Sequence, residues 1–327
     1  MKKIPLLLAK VIPSILFIDL SLNRYKKIKG SVPERDEKTQ KVLILSSGGY
    51  IGVAWHIAKI TKLSDENLLD INDYDLVVGT SAGAIAALAI QSNLSGRELI
   101  EKILLDAKAD PKELFDLKEG KFFKKVNLKE LLNQFSGRKF ATISMLANSI
   151  INEGRSSLNV VEETINELLG SKWPKNTLLV AGDVNTGDRV ILNHKSGLSP
   201  GRAAIASASV PGIFKPIIHH NKKLIDGGLI SSTHFDIALL KSASEITLLT
   251  TSKGFINPLK ARNHFEIISI MKENYENLKL QKYLTLCKLR KIKVKIIKPS
   301  KIEQEIIDKS NLVENKDIEL LVSETLK

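Results

Sequence analysis

The sequence predicts an α/β protein built on a mixed, largely parallel sheet covered on both faces by helices. Short apolar runs alternate with helical patterns along the chain, and strands buried on both faces read as continuous apolar runs. Two of these runs end in glycine-rich turns that lead directly into helices, the connection a parallel sheet requires. The 327 residues, 43% of them hydrophobic, supply one large core, and no Pro/Gly/Ser-rich linker divides the chain.

Taken in order, residues 28–40 are polar and charged and read as a connector. Val42-Leu43-Ile44-Leu45 is a strand that ends in the turn Ser46-Ser47-Gly48-Gly49, with a helix from about Gly52 to Leu63. Leu76 to Val78 is the second strand, and Ser81 to Gln91 a helix rich in alanine. Ser95 and Glu98 have the spacing of a helix cap, before a helix to about Ala107. Residues 110–155 read as short helices and loops that fit a lid or an insertion. A helix over Val160–Leu169 precedes a hairpin, Leu178–Asp183 paired with Arg189–Leu192 across the turn Asn185–Asp188. Gly201 to Ser207 is a helix of small residues, Leu224-Ile225 leads into Asp226-Gly227-Gly228, and Ile246 to Thr250 is a strand. A long helix over about Asn263–Leu289, a strand over Ile292–Ile297 with lysines on one face, and a terminal helix complete the chain.

The net charge of +13 is uneven. Residues 1–40 carry +5, residues 258–302 carry +9, and residues 303–327 carry −4. Such basic surfaces suit anionic lipid headgroups or nucleic acid. No zinc-ligand spacing or aromatic RNA-binding motif accompanies the charge, and aromatic residues make up 5%, so no nucleic-acid partner is expected. The single cysteine, Cys287, rules out an intrachain disulfide. No metal-ligand cluster is visible, and no metal or other cofactor is expected.

Ile4 to Leu22 is apolar but interrupted by Pro5, Lys10, Pro13 and Asp19. Charges inside it make it a poor membrane span. Three readings stand: an interfacial helix, a packed domain helix, or an uncleaved signal.

The chemistry concentrates at Gly79-Thr80-Ser81-Ala82-Gly83, a Gly-x-Ser-x-Gly pattern between a strand and a helix. This is the context of a nucleophile elbow, in which a serine stands on a sharp turn. Gly79 and Gly83 leave room that a Cβ would fill. A nucleophilic serine needs a proton acceptor and donors for the oxyanion. Six histidines are present, His56, His194, His219, His220, His234 and His264, and none lies in a recognisable motif. Asp226-Gly227-Gly228 could aim a carboxylate at a neighbouring strand end, and it equally fits an Asp-Gly hairpin turn.

Ser47-Gly48-Gly49-Tyr50-Ile51-Gly52, the serine elbow and Asp226-Gly227-Gly228 occur in that order. Together with Ala206-Ser207-Ala208-Ser209-Val210-Pro211-Gly212-Ile213-Phe214-Lys215-Pro216, this set resembles the patatin-like phospholipase family over roughly residues 40–255. The resemblance implies a three-layer α/β/α sandwich and a Ser–Asp dyad, with Ser81 as nucleophile and Asp226 as base. It implies an oxyanion hole from the backbone of Gly48 and Gly49, with help from Ala82. Gly52, Gly79, Gly83, Gly227 and Gly228 support these motifs. Phospholipid or another acyl lipid would be the substrate, and an anionic membrane surface the partner of a cytoplasmic, peripherally attached protein. The sequence departs from the family pattern at three points. Ile51 stands where many members have a basic residue, and Ser47 stands in place of the first loop glycine. The Asn-x-Pro that often follows the Asp-Gly-Gly is also missing.

The expected organisation is an N-terminal segment 1–39, a catalytic domain 40–255 and a basic extension 256–327 that completes the same domain. Two other functions remain open at the level of sequence. One is an α/β-hydrolase with a Ser-Asp-His triad that uses His234 or His264. The other is a catalytically silent lipid-binding protein.

Overall fold

The computed structural model describes residues 41–106, 108, 115–118, 154–174, 176–256, 264–310 and 317–327, with backbone only for 264–269 and 271. The N-terminal segment 1–39 and most of the expected insertion at 110–155 lie outside the described residues. One sheet contains β1 (Lys41–Leu45), β2 (Leu76–Thr80), β3 (Thr177–Asp183), β4 (Arg189–Leu192), β5 (Ile217–His219), β6 (Lys222–Asp226), β7 (Glu245–Leu249) and β8 (Lys293–Ile297). Five strands run parallel in the order β3-β2-β1-β7-β8. β4, β5 and β6 form an antiparallel flank on β3.

The helices are α1 (Gly49–Asp65), α2 (Ala82–Ala89), α3 (Gly96–Asp106), α4 (Asn159–Leu169), α5 (Pro200–Ala208), α6 (Asp236–Leu240), α7 (His264–Leu289), α8 (Lys301–Lys309) and α9 (Ile318–Leu326). Two apolar cores lie on opposite faces of the sheet. Leu43, Leu45, Val77 and Leu179 pack with α1, α2, α5 and α9 on one face, while Val42, Ile44, Val78 and Leu248 pack with α6 and α7 on the other. This is the three-layer α/β/α arrangement, and it explains why the central strands lack polar alternation.

The edge strand β8 does alternate. Lys293 and Lys295 are exposed while Val294 and Ile296 are half-buried. Lysines there keep the open edge from pairing with another chain, so part of the basic charge has a structural cause.

Three elements differ from the sequence expectation. β5 and α6 are too short to leave a periodic signal. The C-terminal region holds two helices rather than one: α8, which Ser300 caps in a reciprocal box with Glu303, stops at Lys309, and α9 begins at Ile318. Among the described residues no helix is long and apolar enough to cross a membrane.

The register around β3 brings distant residues together. β4 occupies one edge of β3 from Leu179 to Gly182. Each strand residue has only two edges, so β2 and β6 must share the other one. β2 ends with Thr80 opposite Val180, and β6 ends with Asp226 opposite Ala181. Ser81 leaves β2 at the point where Asp226 arrives.

Candidate active site

Ser81 caps α2 with φ 54° and ψ −118°, in the left-handed region that residues with a Cβ avoid. Strain of this kind costs of order 1–3 kcal/mol and persists only where the surroundings enforce it. They do so here by close approach. A Cβ on Gly79 would lie 2.5 Å from the Gly83 carbonyl oxygen, and one on Gly83 would run into the carbonyl of Leu45. The Gly83 N–H donates to Ser46 O at 3.1 Å, which ties the start of α2 to the end of β1. The Ser81 N–H donates to Ser207 Oγ at 2.9 Å, and that hydroxyl donates to Val180 O at 2.6 Å. Ser207 lies in the small-residue segment singled out in the sequence, but nothing in the pattern pointed to this bond.

The Ser81 hydroxyl donates to Asp226 Oδ2 at 2.7 Å across 145 residues of chain. Both residues are 5% exposed. The other carboxylate oxygen accepts the Gly228 N–H at 2.6 Å, and the Asp226 N–H donates to Ser209 O at 3.0 Å. A Cβ on Gly227 would collide with the carbonyl of Val180, and one on Gly228 would come within 3.1 Å of Ser47 Cβ. Both glycines are therefore required by packing of the turn on β3 and on the Gly-rich loop. Burial pushes the Asp226 carboxyl above the ordinary carboxylate range, against the pull of the Ser81 and Gly228 hydrogen bonds and the Lys272 charge.

The Gly-rich loop lies beside this pair. Gly48 has φ −179° and ψ 7°, and Gly49 has φ 67°, a value that favours glycine. A Cβ on Gly48 would sit 3.0 Å from Gly52 Cα and 3.2 Å from Thr251 Oγ1. Gly52 in turn would place a Cβ 3.4 Å from that of Ala82, so α1 and α2 begin side by side. The N–H groups of Gly49 and Ala82 open their helices and have no intrahelical acceptor. Both residues line the same cleft as Ser81. Two helix N-termini thus bring donors and positive partial charge to the cleft that Ser81 lines.

Neighbouring segments fix the loop backbone. Ser47 N–H donates to Ser232 O at 2.9 Å, Thr251 Oγ1 donates to Ser47 O at 3.1 Å, and His56 Nε2 donates to Ser46 O at 2.8 Å. Burial pushes His56 down to about 4, so its ring is neutral at neutral pH and serves as a strut. Glu276 on α7 accepts from Ser231 Oγ at 2.6 Å and from Ser232 N–H at 3.2 Å, which holds the segment that holds Ser47.

The cleft at Ser81 has a volume of about 510 Å³, part of it open to solvent. Its walls are apolar: Tyr50 and Val53 from α1, Ile85 from α2, Val161 from α4, and Leu158, Phe115 and Phe214. Phe115 meets Tyr50 edge-on at 5.1 Å between ring centroids and Phe214 at 6.1 Å. Such a wall suits an extended hydrocarbon group.

Among the described residues the Ser81 hydroxyl donates to Asp226 rather than to a histidine. His234 Nε2 lies 3.2 Å from Gly227 O, and its Nδ1 lies 3.4 Å from Arg189 NH1. The His264 side chain lies outside the described residues. Among the described residues no group of His, Cys, Asp and Glu has the arrangement of a metal site.

Comparison with known proteins places the chain in a family. A family model described as patatin-like phospholipase matches residues 43–239, from β1 to α6. Uncharacterized NTE family proteins of Mycobacterium tuberculosis and Mycobacterium bovis are 23% identical over 215 residues, which is 65% of this chain and 30% of theirs. The chain therefore spans about 30% of the length of those curated relatives. Among solved structures, VipD from Legionella pneumophila aligns over 88% of this chain and 67% of its own, with 13% identity and a TM-score of 0.37. ExoU of the Pseudomonas aeruginosa type III secretion system, solved with SpcU, aligns over 79% and 53%, with 16% identity and a TM-score of 0.31. The family match covers more than half of the chain and includes the Gly-rich loop, the serine elbow and the Asp-Gly-Gly turn, so this chain belongs to the patatin-like phospholipase family.

Proposed function

We propose that the chain is a serine lipid acyl hydrolase, of phospholipase A or lysophospholipase type, that cleaves carboxylic esters of membrane lipids through a Ser81–Asp226 dyad. The observation that carries this reading is the 2.7 Å bond from Ser81 Oγ to a buried Asp226 carboxylate at the wall of an apolar cleft. In this mechanism Ser81 Oγ attacks the ester carbonyl carbon while its proton passes to Asp226. The carbonyl oxygen takes up negative charge and is held by the N–H groups of Gly48, Gly49 and Ala82. One well-placed donor of this kind contributes about 3 kcal/mol to the barrier reduction. Collapse expels the alcohol, which takes the proton back from Asp226, and leaves the acyl group on Ser81. A water deprotonated by Asp226 then releases the fatty acid.

Aspartate is a weak base for a serine hydroxyl. Burial, by raising its proton affinity, brings it closer to the task. The apolar wall would take the acyl chain. The exposed lysines of β8 and the neighbouring Lys291 and Lys301 would face anionic headgroups, with attraction of about 1 kcal/mol per well-placed charge.

Hydrolysis of a panel of phospholipids, lysophospholipids and neutral glycerides by wild type and Ser81→Ala tests the reading. Wild type should release fatty acid and label with a fluorophosphonate, and Ser81→Ala should do neither. A folded wild-type protein that binds vesicles, yet never labels and never hydrolyses, would establish a lipid-binding protein instead.

A further inference from the structure

We infer that His234 is a positioning residue, which holds the Gly227 carbonyl and thereby fixes the turn that aims Asp226 at Ser81; this rests on the dyad reading above. The Asp226–Gly227–Gly228 backbone must be held firmly, because the Gly228 N–H sets one carboxylate oxygen while the other meets the serine. His234 Nε2 reaches the Gly227 carbonyl at 3.2 Å, within the turn itself.

The proton on that ring can be placed by chemistry. Arg189 NH1 faces His234 Nδ1 at 3.4 Å. A guanidinium only donates, so Nδ1 presents its lone pair and Nε2 carries the hydrogen. The donor then points at the carbonyl of Gly227. Arg189 is fixed in turn by both oxygens of Asp236, at 3.0 and 2.9 Å, with side chains 4% and 10% exposed. Arg189 sits opposite Gly182 on β3, one residue from Ala181, the register partner of Asp226. The support therefore enters from the far edge of the strand on which Asp226 docks.

The backbone at His234 is itself forced. Its φ is 46°, in the left-handed region, and its N–H donates to Ser231 Oγ at 3.3 Å. Ile230 N–H at 2.9 Å and Ser231 N–H at 3.2 Å close the loop on the same Gly227 oxygen, to which the His234 ring adds a contact from outside the turn. A non-glycine residue held there needs a reason, and delivery of the ring to Gly227 supplies one. The arrangement also separates His234 from the role of base. The Ser81 proton faces Asp226, and the protonated Nε2 of His234 has no lone pair to receive it.

The test uses the full-length chain, a chromogenic short-chain ester and a fluorophosphonate, with Tm recorded for every variant. His234→Ala should lower kcat about tenfold, with KM within twofold, and slow the labelling of Ser81 in parallel. His234→Gln places an amide N–H near the position of Nε2 and should return kcat to within about threefold of wild type. A general base would behave otherwise: both variants would fall by about a thousandfold or more, and the inference would be wrong. It would also be wrong if His234→Ala turned over at the wild-type rate. If His234→Ala does not fold, His234→Gln is compared with His234→Asn, whose shorter amide cannot reach. A faster Gln variant supports the inference, and equal rates overturn it. Ser81→Ala and Asp226→Asn run alongside. If either keeps wild-type turnover, the dyad reading falls and this inference with it. If both are inactive while His234→Ala is unaffected, the inference alone fails.

Discussion

Ser81 and Asp226 meet on one edge of β3, but the two are held by different forces. The serine side is set by backbone contact. Gly79 and Gly83 press against neighbouring carbonyls, and the elbow is locked in a strained conformation. The aspartate side shares one such contact, Gly227 against the Val180 carbonyl, but draws on hydrogen bonds from more segments: Ser209 O, Gly228 N–H, the Ser231–Glu276 bond and the His234–Arg189–Asp236 cluster. Steric restraint is all-or-none, because a methyl group either fits or does not. Hydrogen-bond restraint is graded, because each bond contributes about 1 kcal/mol net. Substitution at the packed glycines, most of them on the serine side, should therefore break the site abruptly, and loss of the hydrogen-bond partners, most of them on the aspartate side, by degrees.

The largest effect expected is chemical and tests whether the halves act as one unit. Asp226→Asn keeps an acceptor for the Gly228 N–H but removes the proposed base, and should cut kcat by about a thousandfold while the circular dichroism spectrum stays unchanged. Combining it with Ser81→Ala should add almost nothing, since residues that act together are strongly non-additive. Gly83→Ala comes next. Its Cβ would enter the Leu45 carbonyl, so stability should fall by about 3 kcal/mol or more, and urea unfolding measures the loss. A Gly83→Ala protein of normal stability would show that the serine half is softer than its contacts suggest. Ser207→Ala should be milder. It leaves the Ser81 N–H and the Val180 carbonyl without their partner, at a cost of about 1–3 kcal/mol, and kcat should fall about tenfold.

The same division governs what could be read from the amino-acid sequence. The serine half was legible because its restraints are local. Gly79, Ser81 and Gly83 stand within five residues, and the apolar run of β2 precedes them. The parallel strands were legible for the same reason, since burial on both faces leaves uninterrupted runs such as Val42–Leu45. Asp226 alone was ambiguous with a hairpin turn and gained meaning only from the order of motifs along the chain. Ser207, His56 and Glu276 carried no local signal, because each acts on the site through hydrogen bonds to residues ten or more positions away. His234 was visible as a histidine eight residues after Asp226, but its partner Arg189 lies 45 residues earlier, on β4. The start of α8 had a readable sign in Ser300 and Glu303, which have capping-box spacing.

The smallest effect expected separates the cost of the aspartate from its use. Burial disfavours the charged form of Asp226, so its folded pKa lies above the unfolded value. Below the unfolded pKa the group is protonated in both states and costs nothing. As pH rises through the folded pKa the fold must carry a buried charge, and stability is lost. Asp226→Asn has no such charge. The Tm of Asp226→Asn minus that of wild type should therefore be near zero in acid and positive at neutral pH, by on the order of 2 °C for each kcal/mol involved. The kcat/KM profile of wild type should mirror this. Activity requires the deprotonated base, so its acid limb should lie above the ordinary aspartate value of 3.8. If the acid limb sits at or below that value and the Tm difference is flat with pH, the carboxylate is well solvated in the working enzyme. The hydrogen bonds around Asp226 would then position it without burying it, and the two halves of the site would differ less than their contacts imply.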